Sequence, residues 1–209
     1  MLGIRLAGHA TRPEDMIRSR YTDWLLSVED GYNLLRTCTD RVFLLGLSMG
    51  GILSLTFAAQ FPVRGMVAMS TPYFHPKDWQ LKYAKILSGL KPYIPKGNGP
   101  GSGWFGDAWK EHVAYPDYPM RSIGELGHLM DEVHASLPKI KVPVLLIHTR
   151  DDHPLICESM EKIYARLGSA DKRRLWIEGS GHTITEEPRR ELVFEAVADF
   201  IARVGQVGL

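Results

Sequence analysis

The sequence is poor in cysteine: Cys38 and Cys157 are the only two in 209 residues. That scarcity excludes a disulfide framework, and a lone pair so far apart makes no zinc-ligand spacing. A reducing compartment suits such a chain, so a cytoplasmic location is expected, with no metal and no cofactor. Charge of one sign is lacking too. The 25 Lys and Arg nearly balance the 24 Asp and Glu, leaving +1 with histidine neutral, and no basic run stands out. The electrostatic footprint of a nucleic-acid binder is therefore absent. No apolar run approaches the length of a membrane span, and the N-terminus lacks the apolar core of a secretion signal. Internal repeats are missing as well. What is there is 44% hydrophobic and 23% charged residues, over a length that suits one domain with a substantial core.

The rest of the chain is organised around Arg41 to Leu55. Val42 to Leu45 is an apolar, β-leaning run of the length of a buried parallel strand. Gly46-Leu47-Ser48-Met49-Gly50 follows at once, and Ile52 to Ala59 then reads as a helix of small and apolar residues. A sharp strand-to-helix turn of this kind holds a central serine in a strained conformation with its hydroxyl exposed. The flanking glycines, Gly46 and Gly50, are expected where a side chain would collide with the adjoining strand and helix. The helix that starts just after Ser48 aims its free N–H groups at the site, so the Met49 N–H is a candidate oxyanion donor. A glycine-flanked helix start with a capping serine would give the same three residues. The strand before and the apolar helix after are the context that the nucleophile reading requires.

In chain order, Leu2 to Leu6 reads as a short strand ending at Ala7-Gly8-His9-Ala10, and Thr11-Arg12-Pro13-Glu14-Asp15 has the chemistry of a helix start. Trp24, Leu25, Val28, Tyr32 and Leu35 recur at helical spacing within Tyr21 to Leu35. Pro62 to Met69, Pro143 to His148 and Lys172 to Ile177 are further strands, and Glu158 to Leu167 and Arg189 to Val204 further helices. On the last of these, Leu192, Val193, Ala196, Val197, Phe200 and Ile201 form the apolar side. Strand and helix alternate throughout, which predicts an α/β fold: a mostly parallel sheet with helices on both faces. Residues 73–137 differ in texture. They carry Trp79, Trp104, Trp109 and a Gly-rich run at 97–103, with helices expected over Trp79–Leu90 and Ser122–Leu137. The expected organisation is a core of 1–72 and 138–209 with a lid or cap insertion at 73–137. Either that insertion faces the substrate, with Trp104 and Trp109 as candidate contacts, or it is a decoration that only packs on the core.

A serine hydroxyl needs a base to take its proton, and the base needs a group that holds its tautomer. In a parallel sheet such residues gather at the C-terminal ends of strands. Three strand ends carry the right types: Ser48, then Asp151-Asp152, then Gly181-His182. Singly, the acids also read as cap or turn residues and the histidine as a loop residue. Their order, serine, acid, histidine, is that of an α/β-hydrolase triad. Among the other histidines, His148 lies within a strand and reads as a packed core residue, and His153 adjoins the acid too closely to act as the base. His9 either lines the pocket, as a substrate-binding candidate, or serves its own loop. His182 is the expected base.

Leu6-Ala7-Gly8-His9 followed by Asp23-Trp24, then Gly46-Leu47-Ser48-Met49-Gly50-Gly51, Asp152 and Ser180-Gly181-His182, resembles the carboxylesterase and monoacylglycerol-lipase-like branch of the α/β-hydrolases. The resemblance runs over essentially the whole chain. It implies a serine carboxylic-ester hydrolase acting on short- to medium-chain acyl esters, monoacylglycerols included, through an acyl-enzyme, with a small helical lid. It also favours Asp152 as the acid, because the family pattern places an apolar residue three positions on: Leu155 fits, whereas Asp151 would place Pro154 there. Two departures accompany it. The family's Gly-His-Gly loop reads Gly8-His9-Ala10, and family members carry several strands ahead of the position matching Leu2, one of which ends in a loop that supplies half the oxyanion hole. An N-terminally shortened sheet is therefore expected, with weak activity and homo-oligomers joined through its N-terminal edge. The alternatives are a non-catalytic hydrolase-like scaffold, or a serine hydrolase acting on peptide, thioester or lactone bonds.

Overall fold

The computed structural model describes residues 1–75, 88, 89, 91–95, 110 and 112–206. In chain order the described elements are α1 (Pro13–Arg18), α2 (Tyr21–Arg36), β1 (Phe43–Leu47), α3 (Met49–Ala58), β2 (Gly65–Met69), β3 (Tyr93–Pro95), β4 (Asp117–Pro119), α4 (Met120–Ser136), β5 (Val144–Thr149), α5 (Pro154–Arg166), β6 (Lys172–Ile177) and α6 (Arg190–Gln206). Four of the strands form one parallel sheet in the order β1-β2-β5-β6. Its register sets Leu47 opposite Met69 and Met69 opposite Ile147, so the strands end side by side.

Burial follows strand position. The central strands β2 and β5 are buried at every residue, which is why β2 and the Val144–Ile147 stretch of β5 are apolar runs. Edge strand β1 alternates instead, with Leu44 and Gly46 buried and Leu45 exposed. One face of the sheet packs against α2, α3, α4 and α5 through Trp24, Ile52, Phe57, Leu129 and Met160. The other packs against α6 through Val67, Ile147, Val193 and Phe200. Each such buried side chain contributes about 1.5–3 kcal/mol.

Several expectations need correction. Residues 2–6 form no strand and pair with nothing in the sheet. Leu2 and Ile4 lie over α2 at Gly31, where a Cβ would stand 2.3 Å from Ile4 Cδ1. The same alternating apolar residues that suit a strand rest there against a helix surface, with Leu2 and Ile4 still 37% exposed. The helix expected from Glu158 starts four residues earlier, because Pro154 fits its first turn and His153 Nδ1 accepts the Leu155 N–H at 3.3 Å. Leu192, placed on the apolar side of α6, is 47% exposed. Within 73–137, β3 and β4 form an antiparallel pair that no sequence pattern announces, since each has only three residues. The helix expected from Ser122 begins at Met120, and it belongs to the core through Leu129, Met130 and Val133. Most of the helix expected over residues 79–90 lies outside the described residues.

Candidate active site

Ser48 stands between β1 and α3 with φ 53° and ψ −117°, a left-handed conformation that costs a non-glycine residue about 1–3 kcal/mol. The turn is held from below, where the Ser48 N–H donates to the Met69 carbonyl of β2 at 2.8 Å. Gly46 makes the turn possible: a Cβ on it would lie 2.1 Å from the Gly50 carbonyl oxygen. The second glycine demanded by space is not Gly50, which has no described atom within 4 Å of such a Cβ. It is Gly51, whose Cβ would meet Thr71 Oγ1 at 1.9 Å. The sequence pattern misassigned this contact because helix α3 turns Gly51, not Gly50, onto the segment after β2.

From this turn a hydrogen-bonded chain runs across three strand ends. Ser48 Oγ lies 2.9 Å from His182 Nε2, and His182 Nδ1 lies 2.7 Å from Asp152 Oδ2. The ionised carboxylate can only accept, so Nδ1 carries the proton and Nε2 is free to accept from the serine hydroxyl. The Asp152 side chain is 2% exposed and that of His182 31%, so the carboxylate is shielded while the imidazole is partly open to solvent. Asp152 Oδ1 also accepts the His153 N–H at 2.7 Å. The neighbouring Asp151 turns away, accepting the Gly179 N–H at 2.7 Å. Thr149 Oγ1 donates to the Ser180 carbonyl and accepts the Asp151 N–H, tying the acid loop to the histidine loop. Met49 opens α3, so its N–H is among the first-turn donors that an α-helix leaves without an intrahelical acceptor.

His148, the core histidine of the sequence reading, is fully buried on β5. Its Nε2 accepts the Thr71 N–H at 3.2 Å, and its Nδ1–H donates to the Ile156 carbonyl at 3.1 Å. Burial lowers its pKa to about 4, against the raising effects of the Ile156 bond and of Asp152. It thus links the segment after β2 to the first turn of α5 as a neutral ring. His9 sits with Nδ1 3.1 Å from the Ala7 carbonyl oxygen and its ring edge-on to Trp24. Trp104 and Trp109 lie outside the described residues. An apolar cavity of about 240 Å³ opens beside the acid loop, lined among others by Pro72, Phe74, Leu126, Met130, Leu155 and Ile156. One residue that the sequence reading missed is Glu187, buried at 1% exposure beside the His182 loop. Among the described residues, no group of three or more His, Cys, Asp or Glu could hold a metal ion, and no helix is long and apolar enough to cross a membrane.

A family model described as serine aminopeptidase, S33 (Hydrolase_4), matches residues 8–189. Among curated proteins, the chain is 31% identical over 198 residues to a carboxylesterase of Bacillus subtilis (strain 168), spanning 94% of this chain and 78% of that protein. It is also 31% identical over 202 residues to a thermostable monoacylglycerol lipase of Bacillus sp. (strain H-257), spanning 95% and 78%. Among solved structures, that of one of two metagenome-derived lipolytic enzymes, LipS and LipT, superposes with a TM-score of 0.84 at 31% identity, over 95% of this chain and 80% of that one.

Proposed function

Since the chain belongs to the Hydrolase_4 family of α/β-hydrolases and is a lipase-like ester hydrolase, we propose that it cleaves short- to medium-chain acyl esters, monoacylglycerols among them, with Ser48 as nucleophile, His182 as base and Asp152 as the group that orients it. The observation that carries this reading is the continuous chain of 2.9 Å and 2.7 Å contacts from Ser48 Oγ through His182 to Asp152.

The chemistry follows from that geometry. His182 Nε2 takes the Ser48 proton as Oγ bonds to the acyl carbon, and the carbonyl π electrons move onto oxygen. The Met49 N–H donates to the resulting oxyanion. As the tetrahedral adduct collapses, the alcohol leaves with the proton that His182 held, and the acyl group stays on Ser48. Water then repeats the sequence with His182 again as base, releasing the acid and restoring the serine hydroxyl. Asp152 stays ionised throughout and stabilises the imidazolium.

The apolar cavity takes the acyl portion, since His153 and Leu155 in its wall directly follow Asp152, and Pro72 and Phe74 follow the strand whose Met69 carbonyl holds Ser48. Within residues 73–137 the described part ahead of α4 serves as the cap, over a core of 1–72 and 138–209 that α4 joins. Two contacts support that role: His112 Nδ1 lies 2.8 Å from Glu186 Oε2, and the Tyr115 hydroxyl donates to the Gly8 carbonyl at 3.0 Å. The segment thus joins the two loops on either side of the site. The unpaired cysteines suit a reducing compartment. The β1 edge, where Leu45 is 44% exposed, is the place for self-association. The reaction class is tested with nitrophenyl esters, thioesters, lactones and peptide amides side by side, under pre-steady-state conditions. A burst of nitrophenol with faster turnover of the esters is expected. Preferred cleavage of amides, or of lactones alone, would replace the ester reading.

A further inference from the structure

The proposed reaction leaves one buried acid unused. Glu187 lies in the turn between His182 and α6, and at 1% exposure its carboxylate is out of reach of bulk water. Burying a carboxylate is costly unless its oxygens accept hydrogen bonds. Here Oε1 accepts the Thr183 N–H at 3.0 Å, and Oε2 accepts the Gly181 N–H. The two donors are the backbone amides of the residues directly before and after His182. One rigid, planar group therefore grips the main chain on both sides of the base.

The same turn is fastened at further points. The Glu186 N–H donates to the Thr183 carbonyl at 2.8 Å, and the Arg190 N–H donates to the Glu187 carbonyl at 3.0 Å. The Arg189 N–H donates to Ser180 Oγ at 3.4 Å. These contacts shape the turn, and Thr149 Oγ1 holds the Ser180 carbonyl from the side of β5, while the N–H groups of Gly181 and Thr183 are held by Glu187. Glycine at 181 makes that grip important, because without a side chain it restricts its own backbone less than any other residue.

We propose that Glu187 is a positioning residue for His182: it fixes the backbone on either side of the base so that the imidazole meets Asp152 and Ser48 together. The inference rests on the Ser48–His182–Asp152 reading above. Both contacts of the ring are short, and a displacement of about 1 Å at a reacting group costs about a hundredfold in rate. The carboxylate is specific to the task. A glutamine of the same size keeps one acceptor oxygen but turns an NH₂ toward the other amide, donor against donor. An aspartate is one methylene shorter and cannot span both amides from the same backbone.

The experiment compares the wild type, Glu187→Gln, Glu187→Asp and the control Glu191→Gln, whose side chain meets Arg190 at the surface. Each is assayed for nitrophenyl-ester turnover and fluorophosphonate labelling. The low-field proton resonance of His182 Nδ1–H is recorded without substrate. Glu187→Gln should stay folded and lose about ten- to a hundredfold in kcat, with KM within about twofold because the ester's own contacts are untouched. Labelling should slow in parallel, and the Nδ1–H resonance should broaden or move upfield. Glu187→Asp should fall between Glu187→Gln and the wild type, and Glu191→Gln should match the wild type. A folded Glu187→Gln with wild-type kcat and an unmoved resonance overturns the assignment. Loss of the fold in both Glu187 variants overturns it too, since the clamp would then serve folding. A wild type inert to esters and fluorophosphonate would instead sink the triad reading, and the resonance reports on the clamp independently of turnover.

Discussion

Replacing His148 with glutamine is expected to flatten the acid side of this protein's stability profile. Both ring nitrogens are committed, Nε2 accepting from the Thr71 N–H and Nδ1–H donating to the Ile156 carbonyl, so only the neutral ring fits. Burial is the main cause that lowers its pKa from 6.5 to about 4. Proximity to His182 lowers it further, while the Ile156 bond and Asp152 pull the other way. The folded-state pKa therefore lies below the unfolded one. Between these values the unfolded chain binds a proton that the folded protein refuses. The stabilising contribution is thus complete above pH 6.5 and is lost as pH falls through about 4. At about 1.4 kcal/mol per pKa unit, the gap corresponds to about 3 kcal/mol, a large share of the roughly 5–15 kcal/mol that holds an ordinary domain together. Glutamine offers one acceptor and one donor at similar reach and does not titrate. Urea unfolding at a series of pH values, from neutral down to the folded-state pKa, should show the wild type losing about 3 kcal/mol more than His148→Gln. Parallel curves for the two proteins would refute the assignment of a buried, neutral, doubly bonded imidazole.

Asp152→Asn should lower kcat by about 10⁴, because an amide facing Nδ1 selects the wrong tautomer. Asp151→Asn, which alters only a contact to the Gly179 N–H, should stay within a few-fold of the wild type; steady-state kinetics giving the reverse order would reassign the acid. Filling the apolar cavity by Leu126→Trp should shift the preference toward shorter acyl chains, by about 0.8 kcal/mol for each methylene excluded. A kcat/KM series on nitrophenyl esters that kept its wild-type chain-length profile would mean that the cavity does not take the acyl group. If copies associate through β1, Leu45→Lys should shift the sedimentation coefficient to that of a monomer at micromolar concentration. A wild type that already sediments as a monomer would end that idea.

Much of this site is legible along the chain because its determinants are local. The apolar run of β1, the glycines around Ser48 and the apolar helix that follows are contiguous. The central strands announce themselves through the apolar runs Gly65–Met69 and Val144–Ile147, because both of their faces are covered. Asp152 and His182 become legible only as members of an order, each at the end of a strand. What stayed hidden depends on contacts between distant segments. Leu2, Ile4 and Leu6 alternate as a strand does, but period-2 apolar residues fit a helix groove equally well when no ladder partner lies beside them. Gly50 and Gly51 are indistinguishable in sequence, and only the approach of Thr71 tells them apart. Thr185-Glu186-Glu187-Pro188 reads as the polar lead-in to a helix. Nothing local reveals that Glu186 faces outward to His112 while Glu187 turns in to the amides around His182. An acid five residues after a glycine-flanked histidine, just before a proline, was the one available signal.

The triad itself is tested most directly by treating the wild type and Ser48→Ala with a labelled fluorophosphonate, mapping the modified residue, and measuring nitrophenyl-ester hydrolysis on the same preparations. The wild type should label stoichiometrically at Ser48 and turn the ester over. Ser48→Ala, equally folded, should take up no label and keep no more than the residual acceleration of about 10³–10⁴ over water that binding and oxyanion contacts supply. Label on another residue, or ester turnover undiminished in Ser48→Ala, would contradict the account.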